Sequence, residues 1–404
     1  MDHLVLLAAE ALSNPTISSP GDMKLWAYAA FIGMVAAFLA LDLGVFHREA
    51  HEVAMKEAVT WSVIWLSCGL AFAGFVYLAY EHHWLGLGLE TARYSTAEAI
   101  RNGAPLIVSG EVQGLEAAKQ YLVGYVVEKS LAMDNIFVIA LIFSYFAVPA
   151  KYQHRVLFWG ILGALLMRGG MIFLGAGLIL RYQWILIVFG GFLILTALKM
   201  ALLKGNDDVS QNLAVRVCRK VLRITDFYDG QRFFTRRTLK PTYSARATGE
   251  LVMDPAPAGS LSATWAATPL LLALVLVEIT DLVFAVDSIP AIFAITPDPF
   301  IVFTSNIFAI LGLRALYFCL ASLMQKFRFL KPALILILAF VGAKLLLLSV
   351  PPYLHVVGLQ QAEPIKIDTT TSLLVVVGTL AVATVLSLVV QGKQKGGERA
   401  GGGG

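Results

Sequence analysis

Residues 126–143 read VVEKSLAMDNIFVIALIF and residues 276–295 read LVEITDLVFAVDSIPAIFAI. Each stretch sets carboxylates inside a run apolar enough for lipid: Glu128 and Asp134 in the first, Glu278, Asp281 and Asp287 in the second. An acid at the centre of a membrane helix costs about 2.5–3.5 kcal/mol on insertion scales, so the five together cost on the order of 10 kcal/mol if the costs add. Something must offset that. Carboxylates, followed by Asn135 after Asp134 and Ser288 after Asp287, are hard oxygen donors, and such donors suit magnesium, calcium or manganese better than zinc or copper. The seven histidines (His3, His47, His51, His82, His83, His154, His355) fall in links or at the ends of apolar runs, and no cysteine adjoins the acids. Protons are a second offset, and ion pairs with Arg168, Arg314, Lys199 and Lys344 are a third. The last of these would make the acids an internal salt-bridge network without cargo.

The elements that hold these acids are membrane helices. The chain has 404 residues, 58% hydrophobic and 14% charged, where soluble domains carry about 25% charged residues. Nine apolar runs reach the roughly 20 residues that a span requires: 25–46, 60–80, 118–146, 156–180, 184–203, 268–295, 300–323, 332–350 and 372–390. The fold class expected is an all-α polytopic membrane helix bundle of about nine transmembrane helices in a single membrane domain, 1–404. The net charge of +4 is small and the basic residues sit between the runs. They therefore read as topology signals, with the lipid bilayer and no nucleic acid as partner. The basic link 204–260 is expected in the cytoplasm, as a surface-lying amphipathic helix up to Lys240 (Leu213, Val217, Val221 and Ile224 recur at helical spacing) and a loop after it. Residues 391–404 read as a flexible tail. Alternation then puts the N-terminus outside and the C-terminus in the cytoplasm. The 81–117 link, with five glutamates against Arg93 and Arg101, falls on the outer side.

An internal repeat explains why the acids occur twice. SLAMDNI (130–136) lies over VFAVDSI (283–289), so Asp134 meets Asp287 and Asn135 meets Ser288; six residues earlier Glu128 meets Asp281. One span on, Arg168 meets Arg314, and one further, Lys199 meets Lys344. Repeat 1 is 118–203 and repeat 2 is 268–350. Three spans is an odd number, so the copies run in opposite directions: a 3+3 inverted-topology repeat of the kind that places a transport site between its halves. A fainter echo, LALDL at 39–43, puts Asp42 near the cytoplasmic end of the first span, as an interfacial acid or as part of the route.

Residues six apart on a helix are separated by about 9 Å in height and about 120° in azimuth. The two copies are therefore expected to form a central Asp134/Asp287 pair, with Glu128 toward one membrane face and Asp281 toward the other. Pro290 is expected to break its helix and free the Val286 carbonyl to line a cavity.

The stretches EKSLAMDNIFV, VEITDLVFAVDSIPAIFAIT, FIVFTSNIFAILGLRALYF and DLGVFHR resemble the TerC family of bacterial membrane proteins, named for tellurium resistance, over residues 25–350. The resemblance implies a multi-pass protein of the bacterial inner membrane, akin to LysE-type transporters. It implies no enzyme and no permanently bound cofactor. The implied function is export of a divalent cation, manganese foremost, with Glu128, Asp134, Glu278, Asp281 and Asp287 as transport residues. Like charges held close and away from water favour the protonated acid, so proton exchange is the coupling expected. Two other classes stand beside it. One is a non-transporting component of a tellurite or metal-stress complex. The other is an intramembrane aspartyl protease, which needs a single proton-sharing dyad, whereas this chain carries five acids and no GxGD. No oligomeric state follows from the residues alone.

Overall fold

The computed structural model describes residues 20–44, 55–102, 104–202, 225, 227–237, 242–245, 251–254, 261–321, 329–351 and 364–401. In chain order the helices are α1 (Pro20–Gly44), α2 (Met55–Glu81), α3 (Ala97–Arg101), α4 (Gly114–Tyr145), α5 (Ala150–Arg181), α6 (Ile185–Leu202), α7 (Pro269–Phe293), α8 (Pro299–Leu311), α9 (Leu313–Ala321), α10 (Leu330–Ser349) and α11 (Thr369–Gly401). Among the described residues eight helical segments are long and apolar enough to cross a membrane, α8 and α9 counting as one. The remaining long helix is α4. At 32 residues it spans about 48 Å and packs against α2, α7, α8 and α11. Its charges, Glu128, Lys129 and Asp134 above all, are what separate it in composition from its neighbours. The result is the all-α polytopic bundle that the composition demands. Its rim carries side chains that water would not tolerate, such as Leu166, Leu174 and Leu195.

Contacts at the two ends fix the alternation of the helices. At one end β1 (Thr91–Tyr94) and β2 (Ile107–Gly110) form an antiparallel hairpin. The Tyr94 hydroxyl donates to the Phe293 carbonyl at the end of α7 (2.5 Å), the Gln183 side chain between α5 and α6 takes the Leu106 N–H (2.8 Å), and Lys366 before α11 donates to the Tyr94 carbonyl (3.1 Å). At the other end β3 (Phe234–Arg237) pairs with β6 (Leu261–Ala267), and Tyr228 donates to the Phe146 carbonyl after α4 (2.6 Å). A second small ladder joins β4 (Thr242–Ala245) to β5 (Leu251–Asp254).

The core sits around α8. Every residue from Phe300 to Leu311 is buried, and Phe31 and Phe72 pack on its Phe303 and Phe308, Phe72 and Phe308 with ring centroids 4.5 Å apart. Asp298 caps α8, accepting the Phe300 N–H, and Pro299 occupies the first turn, where its missing N–H costs nothing.

Four expectations are corrected. The run 300–323 is not one helix: it breaks at Gly312, and the Lys129 ammonium donates to the Ala309 carbonyl at the break (3.0 Å). Pro290 does not break α7: the helix runs on through it to Phe293, three residues later, and the proline's local effect is that the Val286 carbonyl lacks the N–H four residues on. The surface helix expected up to Lys240 falls largely outside the described residues, Leu213, Val217, Val221 and Ile224 among them; Phe234–Arg237 is a strand, because it finds a ladder partner in 261–267. The backbone of α11 stays helical through 391–401, part of the expected tail, since Gln, Lys, Glu and Arg all favour helix there.

Candidate functional site

Glu128 and Asn135 are seven residues apart on α4, and Asp281 and Ser288 are seven apart on α7. Seven residues return a helix to within about 20° of the same azimuth and advance it about 10 Å. Each pair therefore occupies one face, and the two faces oppose each other. Asn135 Nδ2 donates to Asp281 Oδ1 at 2.7 Å. At the other tier Glu128 and Ser288 meet through Arg168 of α5. Its Nη1 is paired with Glu128 Oε1 and lies 3.4 Å from Ser288 Oγ. The guanidinium also binds Asp281 with two nitrogens, Nε to Oδ2 at 3.0 Å and Nη2 to Oδ1 at 2.8 Å, a fork-on-fork ion pair. Arg168, Glu128, Asn135, Asp281 and Ser288 are all buried.

Two glycines make the approach possible. At Gly124, one turn before Glu128, a Cβ would come within 2.9 Å of Ser305 Oγ; its absence lets α8 close on α4. That places Asn306 Oδ1 3.3 Å from Arg168 Nη1. At Gly163 of α5 the space of a side chain is taken by the Glu278 carboxylate.

Hydrogen bonding around the cluster is incomplete. Glu128 Oε2, Asn135 Oδ1 and Asn306 Nδ2 are buried without a partner, as is Glu278 Oε2 nearby. Unmet buried polar groups are costly and call for an explanation. Among the described residues no group of three His, Cys, Asp or Glu side chains stands ready to hold a metal ion.

The other expected residues lie off this face. Asp134 and Asp287 each precede the facing residue by one position, a rotation of about 100°. Asp287 accepts from Thr196 of α6 (3.0 Å) and lies in the field of Lys199; Lys331 of α10 is the cation whose field reaches Asp134. The central acidic pairing is thus Glu128 with Asp281 across Arg168, and the acids form two tiers rather than an Asp134/Asp287 centre flanked by one acid on each side. Arg314, the repeat counterpart of Arg168, meets His154 (2.9 Å). Lys344 donates to Ser372 of α11 (2.8 Å). Asp42 falls in the last turn of α1, and its side chain lies outside the described residues.

Sequence reasoning missed Asn306 and Lys129. Thr304 and Ser305 satisfy themselves on carbonyls of their own helix. Asn306, the one amide of α8, has reach to spare, and that lone amide in an apolar run was the available signal. Asp298 was missed too. It is buried and takes a 2.5 Å hydrogen bond from Tyr80. Burial pushes its carboxyl up, and the Tyr80 hydroxyl and the Phe300 N–H pull it back.

Comparison with known proteins agrees with this architecture. The family model described as "Integral membrane protein TerC family" matches residues 113–395. An uncharacterized membrane protein of Myxococcus xanthus is 41% identical over 376 residues, 93% of this chain and 94% of its own. Alx of Escherichia coli K12, named as a candidate membrane-bound redox modulator, is 39% identical over 386 residues, 94% of this chain and 100% of its own. A Rickettsia felis membrane protein is 36% identical over 331 residues, 81% and 91% of the two chains. No solved structure matches the chain. With a family match over well over half its length and relatives near 40% identity along almost all of it, the chain belongs to the TerC family of integral membrane proteins.

Proposed function

We propose that the protein is a transporter that exports a divalent cation, manganese foremost, through the acidic lattice between α4 and α7. The observation that carries this is the cluster of Glu128, Asp281 and Asn135 around Arg168: two carboxylates against one guanidinium, with oxygens of Glu128 and Asn135 unmet. Such acids are expensive in a membrane and mark ion or proton routes.

The two three-span repeats, 118–203 and 268–350, run in opposite directions and build the site between them. Two features support this. The Asn135–Asp281 contact corresponds to the pairing of Ser288 with Glu128 through Arg168 when each residue is replaced by its repeat counterpart. The packing of α4 on α8 likewise becomes the packing of α7 on α5. Glu278 and Asp134 extend the route toward the 225–268 end, which the basic link assigns to the cytoplasm; Asp287 extends it toward the hairpin end. Asp42 stands at the cytoplasmic mouth. Protons and the cation compete for the same carboxylates, so proton exchange is the coupling expected. The chain sits in the bacterial inner membrane, N-terminus outside and C-terminus inside. A redox-active cargo such as manganese also accommodates the redox role that the name of the Escherichia coli relative carries.

The test is the manganese, calcium, magnesium and zinc content of cells with and without the protein. Lower manganese with the protein present supports the reading; unchanged content of all four under metal load sinks it.

A further inference from the structure

We propose that Arg168 is a built-in counter-cation which the transported ion must displace, and that Asn306 holds the guanidinium once it has left the acids. This rests on the transport reading above and goes beyond it by assigning a gate.

With Arg168 in place the acids already have a cation. Nη1 holds Glu128, while Nε and Nη2 hold Asp281. A divalent ion brought to the same carboxylates would sit a few ångströms from the guanidinium cation, and like charges that close repel strongly in a medium of low dielectric. The two occupants exclude each other. With the guanidinium moved aside, the oxygens it held come free, Glu128 Oε1, both of Asp281 and Ser288 Oγ, and the unpartnered Glu128 Oε2 and Asn135 Oδ1 of the same cluster bring the number to six. Six hard oxygens are what a small divalent cation takes, and Glu128 Oε2 and Asn135 Oδ1 have no partner while Arg168 fills the centre.

The displaced arginine also has somewhere to go. Asn306 Oδ1 already lies 3.3 Å from Nη1, the nitrogen that Asp281 does not use. It is a neutral acceptor, so the guanidinium keeps a partner there without neutralising the acids. Its return expels the ion and closes the empty site without leaving a bare pair of buried carboxylates.

Equilibrium binding of manganous ion to purified protein, run beside manganese flux in proteoliposomes, tests this. Arg168→Gln removes the competitor, so the ion should bind at least tenfold more tightly while flux falls at least tenfold. Arg168→Lys keeps a charge but cannot fork onto Asp281, so it should tighten binding by a smaller factor. Asn306→Ala removes the resting place and should weaken binding severalfold. A purely structural arginine would give weaker binding in every variant, and that result, or parental affinity in all three, overturns the proposal. Should Arg168→Gln fail to yield a single symmetric peak on size exclusion, Arg168→Lys and Asn306→Ala decide by their opposite signs. A parent protein that neither binds nor moves manganese removes the transport reading and this inference with it; a parent that transports, with variants that bind no tighter, removes this inference alone.

Discussion

Asn135 and Asp281 face each other from antiparallel helices, amide Nδ2 to carboxylate Oδ1 at 2.7 Å, and the residues seven positions along, Glu128 and Ser288, meet through Arg168. That relationship orders the acids into two tiers and makes Asn135 a structural as well as a chemical member of the site. Hydrogen bonds to charged groups contribute about 1.5–3 kcal/mol. Asn135→Leu should therefore lower the unfolding free energy in detergent by roughly that amount, while Phe137→Leu, at an exposed position on the same helix, should leave it nearly unchanged.

Gly163 and Glu278 should be coupled. A side chain at 163 collides with the Glu278 carboxylate. Gly163→Val is expected to destabilise the protein by about 1–3 kcal/mol, as overpacking does. Adding Glu278→Ala should restore most of the loss. A double-mutant cycle measures the interaction, and additive effects of the two substitutions would contradict the packing described.

Tyr80 and Asp298 make a second buried pair, between the end of α2 and the start of α8. Tyr80→Phe removes the hydroxyl and leaves Asp298 Oδ2 without it. The expected cost is about 1–3 kcal/mol, read as a fall in the unfolding midpoint. Asp298→Asn should cost less when combined with Tyr80→Phe than it does in the parent.

Asp368 precedes α11 and holds the Thr371 N–H (3.1 Å) and the Thr371 hydroxyl. These bonds keep its carboxyl below the ordinary carboxylate range. A depressed value in the folded state stabilises above the unfolded pKa of about 4 and is lost as the pH falls through the folded value. Hydrogen exchange at the Thr371 amide should thus be faster in Asp368→Asn than in the parent at neutral pH, and the difference should vanish in acid. A difference that persists unchanged in acid would show that ionisation of Asp368 plays no part.

The spans were legible because burial in lipid demands long apolar runs, and Lys and Arg between them mark the links. The repeat was legible because charged residues in apolar helices stand out. The pairing of the acids was not. Aligning Asp134 on Asp287 is correct as sequence, but a helix aims adjacent residues about 100° apart. The side chains that face each other are those seven residues apart, Glu128 with Asn135 and Asp281 with Ser288. Arg168 was expected as a partner, yet its choice of both acids, with Arg314 turning to His154 instead, depends on packing between helices that no local pattern encodes. Asn306 carries no charge and so did not stand out as the acids do, and the break at Gly312 was hidden by a run apolar on both sides. The strands at 234–237 and 261–267 are close to invisible singly, since each is defined by the other.

Manganese flux into proteoliposomes under an imposed pH gradient tests the central claim most directly, comparing the parent with Glu128→Gln and Asp281→Asn. Both substitutions keep side-chain size and remove one charge from the cluster. Gradient-driven flux is expected in the parent and a loss of at least tenfold in each variant, with the variants still inserted and monodisperse. Parental flux in Asp281→Asn or Glu128→Gln would contradict it.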